Sequence, residues 1–268
     1  MTDPATESYR VRTDALTTER GEGPPLLCAH GTLMDRTMFA PQVDALSDEY
    51  RVAAYDLRGR TEHWRGPYDL WDLVEDCQAV MDGLEMDAPV LVGMSMGGYV
   101  ALRVALEYPD RLSGLVLIDS TAEPHPEEER EQYAGMFAEL EGADSVPREM
   151  AETVSQLFFG ATAHQQRSEL VERWVDRWCT YVPGSIYHTV HSFLDDPGVV
   201  DSLDEIDLPA LVVHGEEDEG LPPARGRRTA EGLPDGRFES IPAAGHSSNL
   251  ENPEAVNDAV RAFLAEVY

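Results

Sequence analysis

The chain has 268 residues and carries 51 Asp and Glu against 20 basic residues, all of them arginine, for a formal net charge of −31. A surface this acidic repels nucleic-acid phosphates and anionic lipid, which excludes both as partners and leaves a small molecule as the expected one. The 42% hydrophobic fraction supports a globular core, and apolar runs such as Leu211–Val213 and Leu115–Ile118 are far too short to span a bilayer.

In chain order, the expected strands are Tyr9–Thr13, Leu26–Ala29, Arg51–Asp56, Pro89–Met94, Leu112–Ile118, Ala210–His214 and Arg237–Ile241. Between and after them, helical patterning covers Met38–Leu46, Trp71–Leu84, Gly97–Glu107, Ala224–Gly232 and Pro253–Val267. In the last helix Asn252 can cap, Pro253 suits the first turn, and Val256, Val260, Phe263, Leu264 and Val267 share one face. This alternation predicts an α/β fold with a mostly parallel sheet flanked by helices. The rhythm breaks between about Thr121 and Val200, where helical runs are punctuated by Pro124, Pro126, Pro147, Pro183 and Pro197. Residues 121–200 are therefore expected to form a helical lid inserted into a core made of 1–120 and 201–268. Such a lid would cover the carboxyl edge of the sheet, where open α/β sheets bind ligands.

Cys28, Cys77 and Cys179 are scattered and odd in number, which suits free thiols better than a disulfide. No close cysteine pair suggests a metal, and no cofactor is expected. Met1–Arg12 lacks the basic-then-apolar order of a secretion signal, which gives a cytoplasmic expectation.

The sharpest local signal is Gly93-Met94-Ser95-Met96-Gly97-Gly98, placed between an expected strand and an expected helix. That is the setting of a nucleophile elbow, a tight turn that exposes a serine hydroxyl and needs small neighbours two residues away on each side. The following helix aims its N-terminus at the site and favours developing negative charge. A serine needs a base, and His246 follows a strand in Ala243-Ala244-Gly245-His246. The base needs an orienting carboxylate, and Asp218 ends the preceding strand region in Gly215-Glu216-Glu217-Asp218, giving the order Ser, Asp, His. Asp119 at the end of another strand is a rival acid, and Glu217 or Glu219 could serve only in a different loop register. The backbone N–H of Met96, next after the serine, is the first expected oxyanion donor.

Together with His30-Gly31, Asp56-Leu57-Arg58-Gly59, Tyr108-Pro109-Asp110-Arg111, Pro222, Glu251 and Pro253, these motifs make the chain resemble the α/β-hydrolase family. The resemblance spans nearly the whole chain outside the lid and looks like a lidded serine esterase or lactonase. It implies Ser95 as nucleophile, His246 as general base and then acid, Asp218 as orienting acid, the Thr32 amide as second oxyanion donor, and His30 as a brace of that loop. The sequence departs from the common family continuation after Gly59, reading Arg60-Thr61-Glu62-His63-Trp64 where a glycine and a serine are frequent. His188 and His191 are close enough to invite a metal, but no third ligand stands near. Trp174, Trp178 and Phe158, with Phe159 and Tyr181, are expected to form the lid's apolar underside and the substrate pocket.

The expected reaction is hydrolysis of a carboxylic ester through an acyl-enzyme, with a lactone or enol-lactone as the alternative. A carbon–carbon bond hydrolase is disfavoured by Met94 and a perhydrolase by Thr32-Leu33-Met34, while a triad-bearing small-molecule receptor would show no turnover. The lysine-free acidic surface resembles that of halophilic archaeal proteins, since self-repulsion is screened when the Debye length falls to about 3 Å near 1 M salt. Circular dichroism is expected to show unfolding on dilution below about 0.5 M salt; an unchanged spectrum would remove that expectation.

Overall fold

The computed structural model describes residues 16–268, and the expected strand Tyr9–Thr13 lies outside them. Seven strands, β1 (Thr17–Arg20), β2 (Pro25–Ala29), β3 (Arg51–Tyr55), β4 (Val90–Met94), β5 (Gly114–Ile118), β6 (Ala210–Gly215) and β7 (Gly236–Ile241), form one sheet in the order β1-β3-β2-β4-β5-β6-β7. Strands β2 to β7 pair in parallel, and β1 lies antiparallel on β3. Every residue of β4, β5 and β6 is buried, as expected of parallel strands covered on both faces. β1 has no apolar alternation to mark it, because Thr18, Glu19 and Arg20 are exposed at the sheet's edge. Charged edges of this kind resist pairing with another chain.

The helices are α1 (Ala40–Leu46), α2 (Leu70–Gly83), α3 (Met96–Glu107), α4 (Glu127–Phe137), α5 (Arg148–Phe158), α6 (Ala161–Gln166), α7 (Ser168–Trp178), α8 (Pro183–His191), α9 (Pro223–Gly232), α10 (Ser248–Glu251) and α11 (Pro253–Val267). The expected helix Met38–Leu46 is split: a 3₁₀ turn covers Arg36–Phe39, and α1 restarts beside Pro41. Proline lacks the N–H that a continuous helix would need there, but it is welcome in a first turn. The Asp69 side chain caps α2 by accepting from the amides of Trp71 and Asp72. Asn252 caps α11, which buries Val256, Val260, Phe263 and Leu264 against β6, β7 and α1.

Helices α4 to α8 lie between β5 and β6 and have no strand among them. Arg148 bridges Glu152 on its own helix to Glu172 and Asp176 on α7, tying α5 to α7. The chain passes from β3 to β4 across β2, so strand order reverses at β2 and β4. Their carboxyl ends flank a crevice, the usual ligand position in an open α/β sheet. Among the described residues no helix is long and apolar enough to cross a membrane.

Candidate active site

Ser95 occupies the turn between β4 and α3 with φ 50° and ψ −116°, a left-handed conformation that costs strain for a side-chain-bearing residue. The turn is held by backbone and side-chain bonds: the Ser95 amide donates to the Ile118 carbonyl (2.9 Å), and its own carbonyl accepts from the Ser120 hydroxyl (2.8 Å). The glycines on either side are required by contact. A Cβ on Gly97 would collide with the Ala29 carbonyl oxygen, and one on Gly93 with the backbone of Gly97.

His246 sits in the loop between β7 and α10, and its Nε2 lies 3.0 Å from Ser95 Oγ. Its Nδ1 lies 2.7 Å from Asp218 Oδ2. A carboxylate only accepts, so Nδ1 carries the proton and Nε2 presents its lone pair to the serine hydroxyl. All three residues are buried. Burial opposes charge on His246, but the Asp218 carboxylate outweighs it and holds the imidazole above its ordinary value. Burial pushes the Asp218 carboxyl up, and the two histidines facing it more than offset this, holding it below the usual range.

The second of those histidines, His214, was not singled out by sequence because it ends an apolar strand. Its Nε2 lies 2.7 Å from the Leu221 carbonyl and 3.0 Å from Asp218 Oδ2, so that nitrogen carries a proton and donates to both. Asp218 Oδ1 accepts from the Leu221 amide (2.7 Å), which fixes the carboxylate plane. The rival acid Asp119 does not hydrogen-bond to His246. It accepts from the amides of Gly215 and Ser248, both 2.8 Å, and so braces the strand end before Asp218 and the turn after His246. Asp119, His214 and Asp218 cluster as a metal site would, but their facing atoms are committed to these hydrogen bonds. Glu217 points elsewhere and accepts from the amide and hydroxyl of Thr162. Glu251 accepts from the amides of Gly160 (2.8 Å) and Ser247 (3.1 Å), joining the histidine loop to the turn before α6.

On the other side of Ser95, the loop after β2 carries His30, Gly31 and Thr32. His30 Nδ1 donates to the Gly31 carbonyl (2.7 Å), and its Nε2 accepts from the Leu57 amide (2.9 Å). Burial keeps this imidazole neutral by pulling its pKa down to about 4, consistent with one nitrogen donating and the other accepting. Among the described residues, no hydrogen bond occupies the amide of Thr32 or of Met96. Both therefore remain available to an oxyanion.

A pocket opens beside Ser95 and His246, with about 570 Å³ of empty space out to its mouth. Its walls include Leu33, Met136, Phe137, Val154, Phe158, Val190 and Phe193, with Tyr99, His125 and Tyr133 as polar interruptions. The trio expected to line it separates. Phe158 lines it and meets His246 edge to face at 5.4 Å, but Trp178 is buried behind Phe158, and Trp174 borders a different cleft with Thr37 and Arg177. An i, i+4 spacing put both tryptophans on one face of α7, and only packing decided which way that face turned. His188 packs against Gly66 and Trp64, while His191 bonds to the Tyr187 carbonyl, so the two are not a ligand pair.

A family profile described as alpha/beta hydrolase fold matches residues 24–253. A thermophilic esterase from Thermogutta terrifontis is 31% identical, with a TM-score of 0.87 over 94% of this chain and 93% of its own. The enol-lactonase of Burkholderia xenovorans is 25% identical, with a TM-score of 0.85 over 93% of this chain and 95% of its own. By sequence, 3-oxoadipate enol-lactonase 2 of Acinetobacter baylyi is 26% identical over 91% of this chain and 90% of its own.

The geometry at His246 predicts its titration. Nuclear magnetic resonance of the imidazole is expected to show a midpoint above 6.5, moving downward in Asp218→Asn because burial is then opposed only by the weaker influence of Asp119 and Glu251. An unmoved midpoint would show that the contact carries no charge coupling.

Proposed function

The chain belongs to the α/β-hydrolase fold family and is an enzyme of the hydrolase class, and on that premise we propose that it cleaves a neutral carboxylic ester through an acyl-enzyme on Ser95. The observation that carries this reading is the hydrogen-bonded line from Ser95 Oγ through His246 to the buried Asp218, ending beside an apolar pocket.

In this reading His246 Nε2 takes the Ser95 proton as Oγ attacks the ester carbonyl carbon. The carbonyl oxygen becomes an oxyanion, held by the amides of Thr32 and Met96. Collapse expels the alcohol, which leaves with the proton stored on His246. Water then attacks the acyl-enzyme, giving its proton to His246, and the carboxylic acid departs as Ser95 regains its hydrogen. Asp218 keeps the imidazole in the tautomer that this cycle needs, and His214 fixes Asp218. Residues 121–200 act as a lid that shields these steps from bulk water.

The pocket favours a neutral substrate. No arginine, aspartate or glutamate lines it, and burial lowers the pKa of His125 so that its imidazole is neutral at pH 7. A carboxylate on the substrate would enter without a cation to meet it, at a cost of several kcal/mol. A lactone is the second substrate class, since its ring holds the same ester bond and relatives with this fold are named enol-lactonases; the uncharged lining favours one without the free carboxylate that a 3-oxoadipate enol-lactone keeps. The acidic, lysine-free surface fits a protein working in concentrated salt, so assays belong at about 2–4 M KCl, where charge repulsion is screened.

Two measurements check the proposal. Ser95→Ala is expected to lose at least about 10⁴-fold in kcat on p-nitrophenyl butyrate and to escape fluorophosphonate labelling. An Ala variant with full turnover would end the mechanism, and a wild-type protein that neither turns over nor is labelled would end the ester reading. Among matched p-nitrophenyl esters, a neutral acyl chain is expected to exceed one ending in carboxylate by about 100-fold in kcat/KM. Equal values would mean that the charge is met by a group outside the lining residues.

A further inference from the structure

The least family-like stretch of the sequence, after Gly59, begins with Arg60 on the 3₁₀ turn Arg58–Arg60. In a chain so rich in carboxylates, an arginine would be expected to pair with one. Among the described residues Arg60 forms no ion pair, although its neighbours do: Arg36 pairs with Asp56, and Arg177 with Asp35. The Arg60 donors go to neutral oxygens instead. Its Nη2 donates to the Thr32 carbonyl (2.8 Å) and its Nε to the Met34 carbonyl (3.0 Å). Its Nη1 donates to the Gly59 carbonyl (2.9 Å) and the Ser185 hydroxyl (3.3 Å), and the guanidinium lies 4.2 Å over the Tyr181 ring.

We propose that Arg60 is a positioning residue that locks the Thr32 amide in place as an oxyanion donor and ties that loop to the N-terminal end of α8. The inference rests on the reading of Thr32 as part of the oxyanion hole.

Each peptide is rigid, so the direction of an N–H is set by the carbonyl of the same plane. The Gly31–Thr32 plane is held through its carbonyl, which accepts from His30 Nδ1 (2.7 Å) and from the Met34 amide (3.1 Å). The Thr32–Leu33 plane is held through its own carbonyl by Arg60 Nη2. With both planes fixed, neither soft dihedral of Thr32 is free, and its N–H has one direction. The loop is also close enough to the nucleophile for this to matter, since a Cβ built on Gly31 would stand 3.3 Å from Ser95 Cβ. The guanidinium suits the task because its planar fork spans two carbonyls at once, which an ammonium does with less directional control. Through Ser185 and Tyr181 the same side chain touches the chain around the start of α8, so a displacement there would reach the oxyanion loop.

The test compares wild type, Arg60→Met and Arg60→Lys on p-nitrophenyl butyrate in concentrated salt. The methionine keeps a stem over Tyr181 and removes every donor, while the lysine keeps the charge and removes the fork. Arg60→Met is expected to lose about 10–100-fold in kcat with KM changed less than about twofold, because a misdirected oxyanion donor weakens the transition state rather than substrate binding. Affinity for a trifluoromethyl ketone, which forms an oxyanion on the serine, should fall by a similar factor. Arg60→Lys should recover part of the loss, and it stands in for the methionine variant if that chain does not fold. Wild-type kcat in both variants, or a loss confined to KM or to thermal midpoint with the ketone affinity unchanged, would overturn the proposal. A readout independent of activity separates this from the hydrolase reading: the backbone order parameter of Thr32 should drop from about 0.85 in wild type to below about 0.7 in Arg60→Met. If wild type has no esterase activity the ester-cleavage reading falls, while an unchanged Thr32 order parameter overturns the role of Arg60 by itself.

Discussion

The site depends on how closely the backbone of β2 approaches the turn at Ser95. The serine is held in a left-handed conformation at the mouth of the crevice between β2 and β4. That placement is possible only because Gly97 meets the Ala29 carbonyl without a side chain, and because Gly31 leaves room for Met94 and Ser95. The strain is balanced by bonds on the far side, from the Ser95 amide to β5 and from Ser120 to the Ser95 carbonyl. Rigid parallel strands on both sides keep the turn from relaxing.

Around this turn the protein concentrates buried carboxylates and gives each of them several hydrogen-bond donors. Asp218 is shared by His246, His214 and the Leu221 amide, and Asp119 by two backbone amides. Unpaired buried carboxylates would be expensive, and removing one partner of such a group leaves the full desolvation penalty behind. The result is a stack of braces: Asp119 holds the loops, His214 holds Asp218, and Asp218 holds His246. On the opposite side of the serine, His30 and Arg60 hold the loop of Thr32 by its carbonyls. Both sides of Ser95 are therefore held by fixed hydrogen bonds, the kind of pre-organisation that the proposed ester cleavage would use.

The contrast between outside and inside is sharp. The surface carries the excess of 51 acidic over 20 basic residues, yet the pocket lining has no arginine or carboxylate. Carboxylates near the pocket are turned into pairs behind its wall, as when Glu129 bonds to His125 and to Arg225. Solvent-facing repulsion and a neutral interior can coexist because screening acts on the exposed charges and little on the buried ones.

Much of this was legible before folding was considered. Short apolar runs marked β2 to β6, because parallel strands buried on both faces must be apolar on both, whereas β7 alternates Phe238 and Ile241 with exposed Arg237 and Glu239. The glycines around Ser95 and the order Ser95, Asp218, His246 pointed to the three residues that the structure joins by hydrogen bonds, because a tight strand-to-helix turn tolerates few residue types at those spacings. β1 was not legible, since an exposed edge strand leaves no hydrophobic pattern. Nor were the hydrogen-bond partners of His214, Asp119 and Arg60, or the parting of Phe158 from Trp174 and Trp178. Those depend on which way side chains point once the chain is packed: His214 turns back to Asp218 four residues on, Asp119 reaches Gly215 across 96 positions, and Arg60 reaches Thr32 across 28. Local spacing fixes what a residue can do, and only the tertiary structure decides which neighbour it does it to.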